Sequence, residues 1–320
     1  MQVTVIMPAY NAALYVENAI QSLLNQTNPN WKLICIDDGS TDNSKEIINS
    51  FINRDNRISL ICQENAGPAV ARARAIALAD TEYISILDSD DAYSPDYIEL
   101  MLKRAETTKA DTIVPDVEYK CNDTQKLLNQ FAHHQLSHNL IIDNGVEAFS
   151  MTIPWKLHGW QMVKTELAKK YYTIENASYS KFNSDEFITR LLYLKSNKVA
   201  LCKAKYIYRI TSNSLTRTAS LKKLDYLKTL EKLLHLCNDE HIDNKVLVRL
   251  YNNYYSTIKS SLRLIPELKQ DEKNEAKRII KYYYETSYKP YLTSEIIQAA
   301  KFTTRVKFII SKVGLIFFKL

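Results

Sequence analysis

The stretch "ISILDSDDAYSPDYIEL", Ile84–Leu100, decides how the chain is read. A short apolar run stops at Asp88-Ser89-Asp90-Asp91. A run of that length, bounded by turn residues, reads as a buried strand. A helix is expected directly behind it, with Ser94 as N-cap, Pro95 at the first helical position and Asp96 next. Three carboxylates within four residues repel one another. Something positive is therefore expected among them.

Upstream, the same alternation repeats. Strands are expected at Val3–Met7, Leu33–Ile36, Ile58–Cys62 and Tyr83–Leu87. Helical spacing follows over 13–26, where Val16, Ala19, Ile20 and Leu23 share a face, then behind "DDGSTDNSKEII" and over 68–79. Thr112–Val114 is a fifth strand candidate. Strands alternating with helices imply a mostly parallel sheet covered on both faces. Such sheets bind ligands at the carboxyl ends of their strands. "PAYN", "DDGS" and "DSDD" fall at three of those ends. Singly, each is ordinary turn and capping chemistry. At successive strand ends of one sheet they converge on one site.

Composition sets the bounds. The chain has 320 residues, 46% apolar and 24% charged, which fits a globular protein of two parts. A net charge of +6 suits an anionic partner, such as a nucleotide or an acidic membrane surface, and does not call for nucleic acid. The five cysteines are scattered singly without Cys-x-x-Cys spacing, so a reduced cytosol is the simpler expectation. "MQVTVIMPAYNAAL" lacks a basic region before its apolar run and reads as a strand rather than a signal peptide. No stretch reaches the roughly 18 to 20 apolar residues of a membrane span.

Downstream, the pattern fades between about 120 and 150, and a loop-rich insertion is expected there. "PWKLHGWQMVKT" holds two of the three tryptophans and one of only five glycines. Residues 185–196 read as a helix, and Val199–Arg209 as a strand. Beyond about 219 the chain reads as helices rich in Leu, Tyr and Lys.

Neither Gly-x-Gly-x-x-Gly nor Gly-x-x-x-x-Gly-Lys-[Ser/Thr] occurs, so dinucleotide and P-loop chemistry lose support. Clustered carboxylates favour a hard divalent cation. Magnesium and manganese share oxygen ligands between one or two carboxylates, water and substrate phosphates. The acids would hold a metal, and the metal a diphosphate.

The ordered blocks "VTVIMPAYNAALYVENAIQSLLNQT", "LICIDDGSTDNS", "ENAGPAVARARAIALA" and "YISILDSDDAYSPDYIE" resemble the inverting family-two glycosyltransferases of the GT-A fold. Many bacterial members build lipopolysaccharide and capsule. The resemblance implies an α/β nucleotide-sugar-binding sheet over 1–218, with a nucleotide-sugar half over 1–115 and an acceptor half over 116–218. A helical region would follow over 219–320.

The resemblance also implies roles. Pro8, Ala9 and Tyr10 would line the base and ribose pocket, and Asp38 would accept the uracil N–H. Gly39 would let the backbone turn close to the nucleotide. Arg72 would reach the nucleotide side of the donor, with Arg74 on the surface. Asp88, with Ser89 beside it, would contact ribose or sugar, and Asp90 would ligate the metal together with Asp88. Asp91 would orient donor-sugar hydroxyls or cap the turn.

"FNSDEFITRLL" resembles the family's Glu-Asp-Glu-Phe segment and aligns Asp185 with the general base. Ser184 replaces the first glutamate, so Glu186 is the alternative base. Both acids would also suit the first turn of a helix. "YIYRITSNSLTR" resembles a Tyr-Arg-x-His-x-x-Ser segment with Thr211 at the histidine position. His158 is then either a substitute or an ordinary structural histidine. Trp155 and Trp160 would be acceptor-side sugar platforms or core anchors.

The expected cofactor is manganese or magnesium. The expected partners are a nucleotide-sugar, a uridine diphosphate sugar first of all, and a glycan or lipid-linked glycan acceptor, with no nucleic acid. The expected place is the cytoplasm. The tail 301–320 carries five basic residues and no acidic one, with Phe302, Val306, Ile309, Val313, Ile316 and Leu320 on one stripe. It would lie on the inner face of an anionic membrane or dock on the protein itself. Two rivals stand beside this: a non-catalytic nucleotide-sugar or glycan-binding module, and a sugar nucleotidyltransferase. The latter would need a Gly-rich triphosphate loop where "PAYNAA" stands.

Overall fold

The computed structural model describes residues 1–121, 125–210 and 219–312. The chain forms two compact units, Met1–Ser212 and Asn213–Leu320.

In the first unit, β1 (Val3–Ala9) is buried along its whole length, as its continuous apolar run requires of a central parallel strand. It pairs in parallel with β2 (Trp31–Asp37) on one side and with β4 (Tyr83–Ile86) on the other. β3 (Ile58–Cys62) extends the sheet beyond β2. The order β3-β2-β1-β4 reverses direction at β1. The register sets Ala9 beside Asp37 and Ile6 beside Ile86, so the three loops leaving β1, β2 and β4 open at one edge. A crevice at a switch point of this kind is where open α/β sheets take ligands.

The crossovers are α1 (Val16–Leu24), α2 (Ser44–Ile52) and α3 (Pro68–Leu78). α1 buries Val16, Ala19, Ile20 and Leu23, the face that the spacing predicts. Each large side chain there contributes roughly 1.5 to 3 kcal/mol. Pro68 opens α3 behind Gly67, whose φ of +94° only glycine adopts without strain.

The rest of the sheet departs from the parallel expectation. β5 (Ala92–Tyr93), β6 (Thr112–Cys121), β7 (Gln125–Asn129), β8 (Ile141–Ile142), β9 (Met162–Lys164) and β10 (Val199–Ile210) complete ten strands among the described residues. β9 lies between β4 and β6, antiparallel to both, and so joins the two halves. β6 and β10 are parallel. The segment expected to be loop-rich carries β7, β8 and helices Gln130–His133 and Gly145–Met151. α4 (Tyr97–Thr108) starts at Tyr97 with Asp96 as N-cap, not at Pro95. The cause is β5, which pairs Tyr93 with Tyr206 and Ala92 with Ile207 on distant β10.

The second unit is helical: Asp225–Asp239, Asn244–Leu264, Gln270–Tyr283, Ser294–Ala299 and Phe302–Lys312 are its main helices. Its core mixes Leu227, Leu230, Leu233, Leu250 and Ile280 with buried Tyr251, Tyr254, Tyr284 and Tyr288. The last helix docks through Phe308 and Ser311: Phe308 packs edge-on to Tyr251, and the Tyr284 hydroxyl donates to the Ser311 carbonyl. Phe302, Val306 and Ile309, the predicted stripe, stay exposed. Val313, Ile316 and Leu320 lie outside the described residues, as does Thr211. Among the described residues no helix is long and apolar enough to cross a membrane.

Candidate active site

The loops after β1 and β2 are stitched together. The Asn11 backbone N–H donates to Ser40 Oγ at 3.0 Å, and Asn11 Oδ1 accepts from the Thr41 N–H at 2.8 Å. The Ala12 N–H donates to Ser44 Oγ at 2.7 Å. Pro8 and Ala9 are buried at the end of β1. Tyr10 is 52% exposed, a ring standing at the strand end with a face available.

Asp38 is buried, and its carboxylate is largely occupied by the protein. Oδ1 accepts from Gln63 Nε2 at 2.6 Å and from the Ala66 N–H at 2.8 Å; Oδ2 accepts from the Gly67 N–H at 2.9 Å. A carboxylate has about four lone-pair sites, so one remains for a ligand N–H. Gly39 has φ +77°, and a Cβ there would stand 3.0 Å from the Asn65 nitrogen. The glycine is thus required by the β3–α3 loop packed against it.

The acids after β4 separate into three environments. Asp91 is buried; Oδ2 accepts from the Tyr206 hydroxyl at 2.6 Å and Oδ1 from the Arg209 N–H at 2.8 Å. Burial, then Asp90 and Asp88, push its carboxyl well above the usual carboxylate range. Its carboxylate anchors the turn to β10. Asp88 is held from two sides: Oδ1 accepts from Arg72 at 2.5 Å and Oδ2 from Trp160 Nε1 at 3.0 Å. Ser89 sits half-buried between them in sequence. Burial, then the charge of Asp88, raises the Asp90 carboxyl to about 6.

Arg72 supplies the built-in positive charge. It projects from α3 among Ala69, Ala71, Ala73 and Ala75, is 8% exposed, and also reaches Asp185 Oδ2 at 3.1 Å. One guanidinium therefore joins the acidic turn to the candidate base, 113 residues away in sequence. Arg74, its neighbour, is exposed. Asp185 lies in the first turn of helix Ser184–Lys195, with 38% of its side chain exposed. Glu186, beside it, pairs with Arg190 at 2.9 Å, and burial, opposed by Arg190, raises its carboxyl. Arg190 lies 3.7 Å over the ring of Trp155. Asp185 and Glu186 are thus brought into different surroundings.

The structure places His158 and the two tryptophans in distinct surroundings. His158 is a core histidine: Nε2 donates to the Pro115 carbonyl at 2.8 Å, Nδ1 accepts from the Trp160 N–H at 3.3 Å, and burial lowers it to about 4. Both of its ring nitrogens are engaged within the protein. Trp160 joins the acidic turn through its N–H, whereas Trp155 stands with Arg190 and Glu186. Tyr206, Gln63 and Arg190 were not singled out from sequence. Nothing local marks Tyr206 as the partner of an aspartate 115 residues away.

Among the described residues no group of three or more His, Cys, Asp or Glu gathers as a metal cage. Asp88 and Asp90 offer two carboxylates at most. That set fits magnesium or manganese, which complete their shells with water and phosphate oxygens. It does not fit an all-protein site.

A family model described as glycosyl transferase family 2 matches residues 4–223. The chain belongs to that family. It has a GT-A-type α/β sheet followed by a helical region. GlyA, a glycosyltransferase of Streptococcus pneumoniae serotype 4, is 28% identical over 306 residues, 87% of this chain and 43% of GlyA. TuaG of Bacillus subtilis, a putative teichuronic acid biosynthesis glycosyltransferase, is 41% identical over 102 residues, 32% of this chain and 40% of TuaG. The chain thus spans under half the length of both. The fold is shared with the crystal structure of S. aureus TarS 1–349 in complex with UDP-GlcNAc: TM-score 0.74, 16% identity, covering 98% of this chain and 88% of that one.

Proposed function

We propose that this glycosyltransferase moves a sugar from a uridine diphosphate sugar to a hydroxyl of a surface glycan, with inversion at the anomeric carbon. The observation that supports the reading is Arg72, which bonds both Asp88 and Asp185, the acids proposed as donor contact and base. The UDP-GlcNAc in the TarS structure supports the donor class, and the name of TuaG supports a surface-glycan acceptor.

Tyr10 offers its ring to the base, and the remaining site on Asp38 accepts the uracil N–H. Asp90, with Asp88, would hold manganese or magnesium. When bound, the ion supplies charge stabilisation to the departing diphosphate. Asp185 accepts the proton of the acceptor hydroxyl as that oxygen bonds to the anomeric carbon. The bond from that carbon to the diphosphate oxygen breaks on the opposite face, and uridine diphosphate leaves. Trp155 would flank the acceptor.

The test is a nucleotide-sugar screen for donor hydrolysis and transfer, with and without manganese, on wild type, Asp185→Asn and Glu186→Gln. The base assignment expects Asp185→Asn to lose transfer by about 10² to 10⁴ while still binding uridine diphosphate. A larger loss in Glu186→Gln reassigns the base. Uridine diphosphate binding without any turnover supports the binding-module rival.

A second reading concerns place. Phe302 is 77% and Ile309 49% exposed on a helix that carries Arg305, Lys307 and Lys312 and no acid. Such a face suits the interface of an anionic membrane, where each basic residue contributes about 1 kcal/mol. We propose a cytoplasmic enzyme resting there. Phe302→Glu with Ile309→Glu is expected to abolish flotation with anionic liposomes; equal flotation refutes it.

A further inference from the structure

The indole of Trp160 is fixed on several sides. Its N–H donates to Asp88 Oδ2 at 3.0 Å, and its backbone N–H to His158 Nδ1 at 3.3 Å. The ring stacks on Tyr206 with centroids 4.8 Å apart and planes at 21°. Tyr208 meets it at 5.2 Å and His158 at 5.4 Å. A buried tryptophan packs through its ring and finds a hydrogen-bond partner for its N–H. Here one face lies on Tyr206, and the polar edge bonds a carboxylate.

Tyr206 has the matching role. Its hydroxyl accepts from the Asp88 backbone N–H at 3.2 Å and donates to Asp91 Oδ2 at 2.6 Å. The ring is fully buried, with Tyr93 edge-on at 5.8 Å. Tyr93 in turn stacks on Tyr97 at 3.7 Å. One stacked pair thus grips the turn at the Asp88 side chain, the Asp88 backbone and the Asp91 side chain.

We propose that Trp160 is a positioning residue for Asp88. With Tyr206 it forms a bracket that sorts the three acids: Asp88 toward Arg72, Asp91 inward, and Asp90 left to the ligand. This rests on the donor-site reading of the turn. The bracket acts before an acceptor arrives, so its loss must appear in donor hydrolysis measured without acceptor.

Trp160→Phe keeps a stacking ring and removes the N–H. A hydrogen bond to a charged group corresponds to roughly 10- to 100-fold, and acceptor-free donor hydrolysis is expected to lose that much in kcat. The acceptor KM should stay near the wild-type value. Tyr206→Phe, which keeps its ring, should lose hydrolysis in the same direction and covers the case in which Trp160→Phe does not fold. Wild-type hydrolysis in Trp160→Phe with a raised acceptor KM makes Trp160 a platform and overturns the bracket alone. Absence of uridine diphosphate binding by wild type overturns the donor-site reading, and the bracket with it.

Discussion

At the end of β2, Asp38 accepts three hydrogen bonds from its own chain and ties the β3–α3 loop down. At the end of β4, the Asp90 side chain accepts no hydrogen bond from another described side chain, and burial beside Asp88 raises it to about 6. The residue type is the same, and so is the position at the edge of one sheet. The difference is in what surrounds each carboxylate. A buried acid satisfied by backbone N–H groups holds the fold. One that burial and a like charge keep uncomfortable invites a cation.

The strongest break of this contrast is Asp90→Asn. Turnover is expected to fall by several kcal/mol, about 10³-fold, with the fold intact by circular dichroism. An active variant, or full activity in EDTA, would remove Asp90 from the metal.

Asp38→Asn comes next. It keeps the size but turns an NH₂ toward donors, so stability is expected to drop by about 1 to 3 kcal/mol, read by urea unfolding. Unchanged stability would mean that Asp38 is as uncommitted as Asp90.

The pH dependence sharpens the pair. In metal-free buffer, Asp90 near 6 lies above its ordinary 3.8. Between those values the folded chain binds more protons than the unfolded one, so this group's contribution to stability falls as pH rises through the window. Asp90→Asn removes that decline and should be the more stable protein at pH 7 by on the order of 1 kcal/mol. Melting curves at pH 4 and pH 7 check it; a decline of equal size in both proteins contradicts it.

The smallest expected effect is Glu186→Gln. Arg190 already neutralises this acid at 2.9 Å. A loss of less than about tenfold in transfer kcat is expected, against about 10² or more for Asp185→Asn. Comparable losses would erase the distinction between the two neighbours.

The parallel half of the sheet was legible because its signals are local. β1 to β4 and their crossover helices repeat an apolar strand, a polar end and a helical face within each short stretch of chain. The start of α4 was misplaced because β5 exists only through its pairing with β10. The insertion between 120 and 150 hid two strands and two short helices for a related reason: β8 pairs with β10, well over fifty residues further on.

The sequence by itself determined that acids gather at successive strand ends, that "DSDD" closes a buried strand, and that an aspartate opens the helix at 184–195. Residue type, period and order suffice for that. Which groups surround each acid was decided by the tertiary structure alone. Arg72, read as a nucleotide contact, bonds Asp88, 16 residues away, and Asp185, 113 residues away. Trp160 and Tyr206 reach the same turn across 72 and 115 residues. A carboxylate's role depends on burial and on which donors surround it. Those donors arrive from distant segments only when the chain has folded.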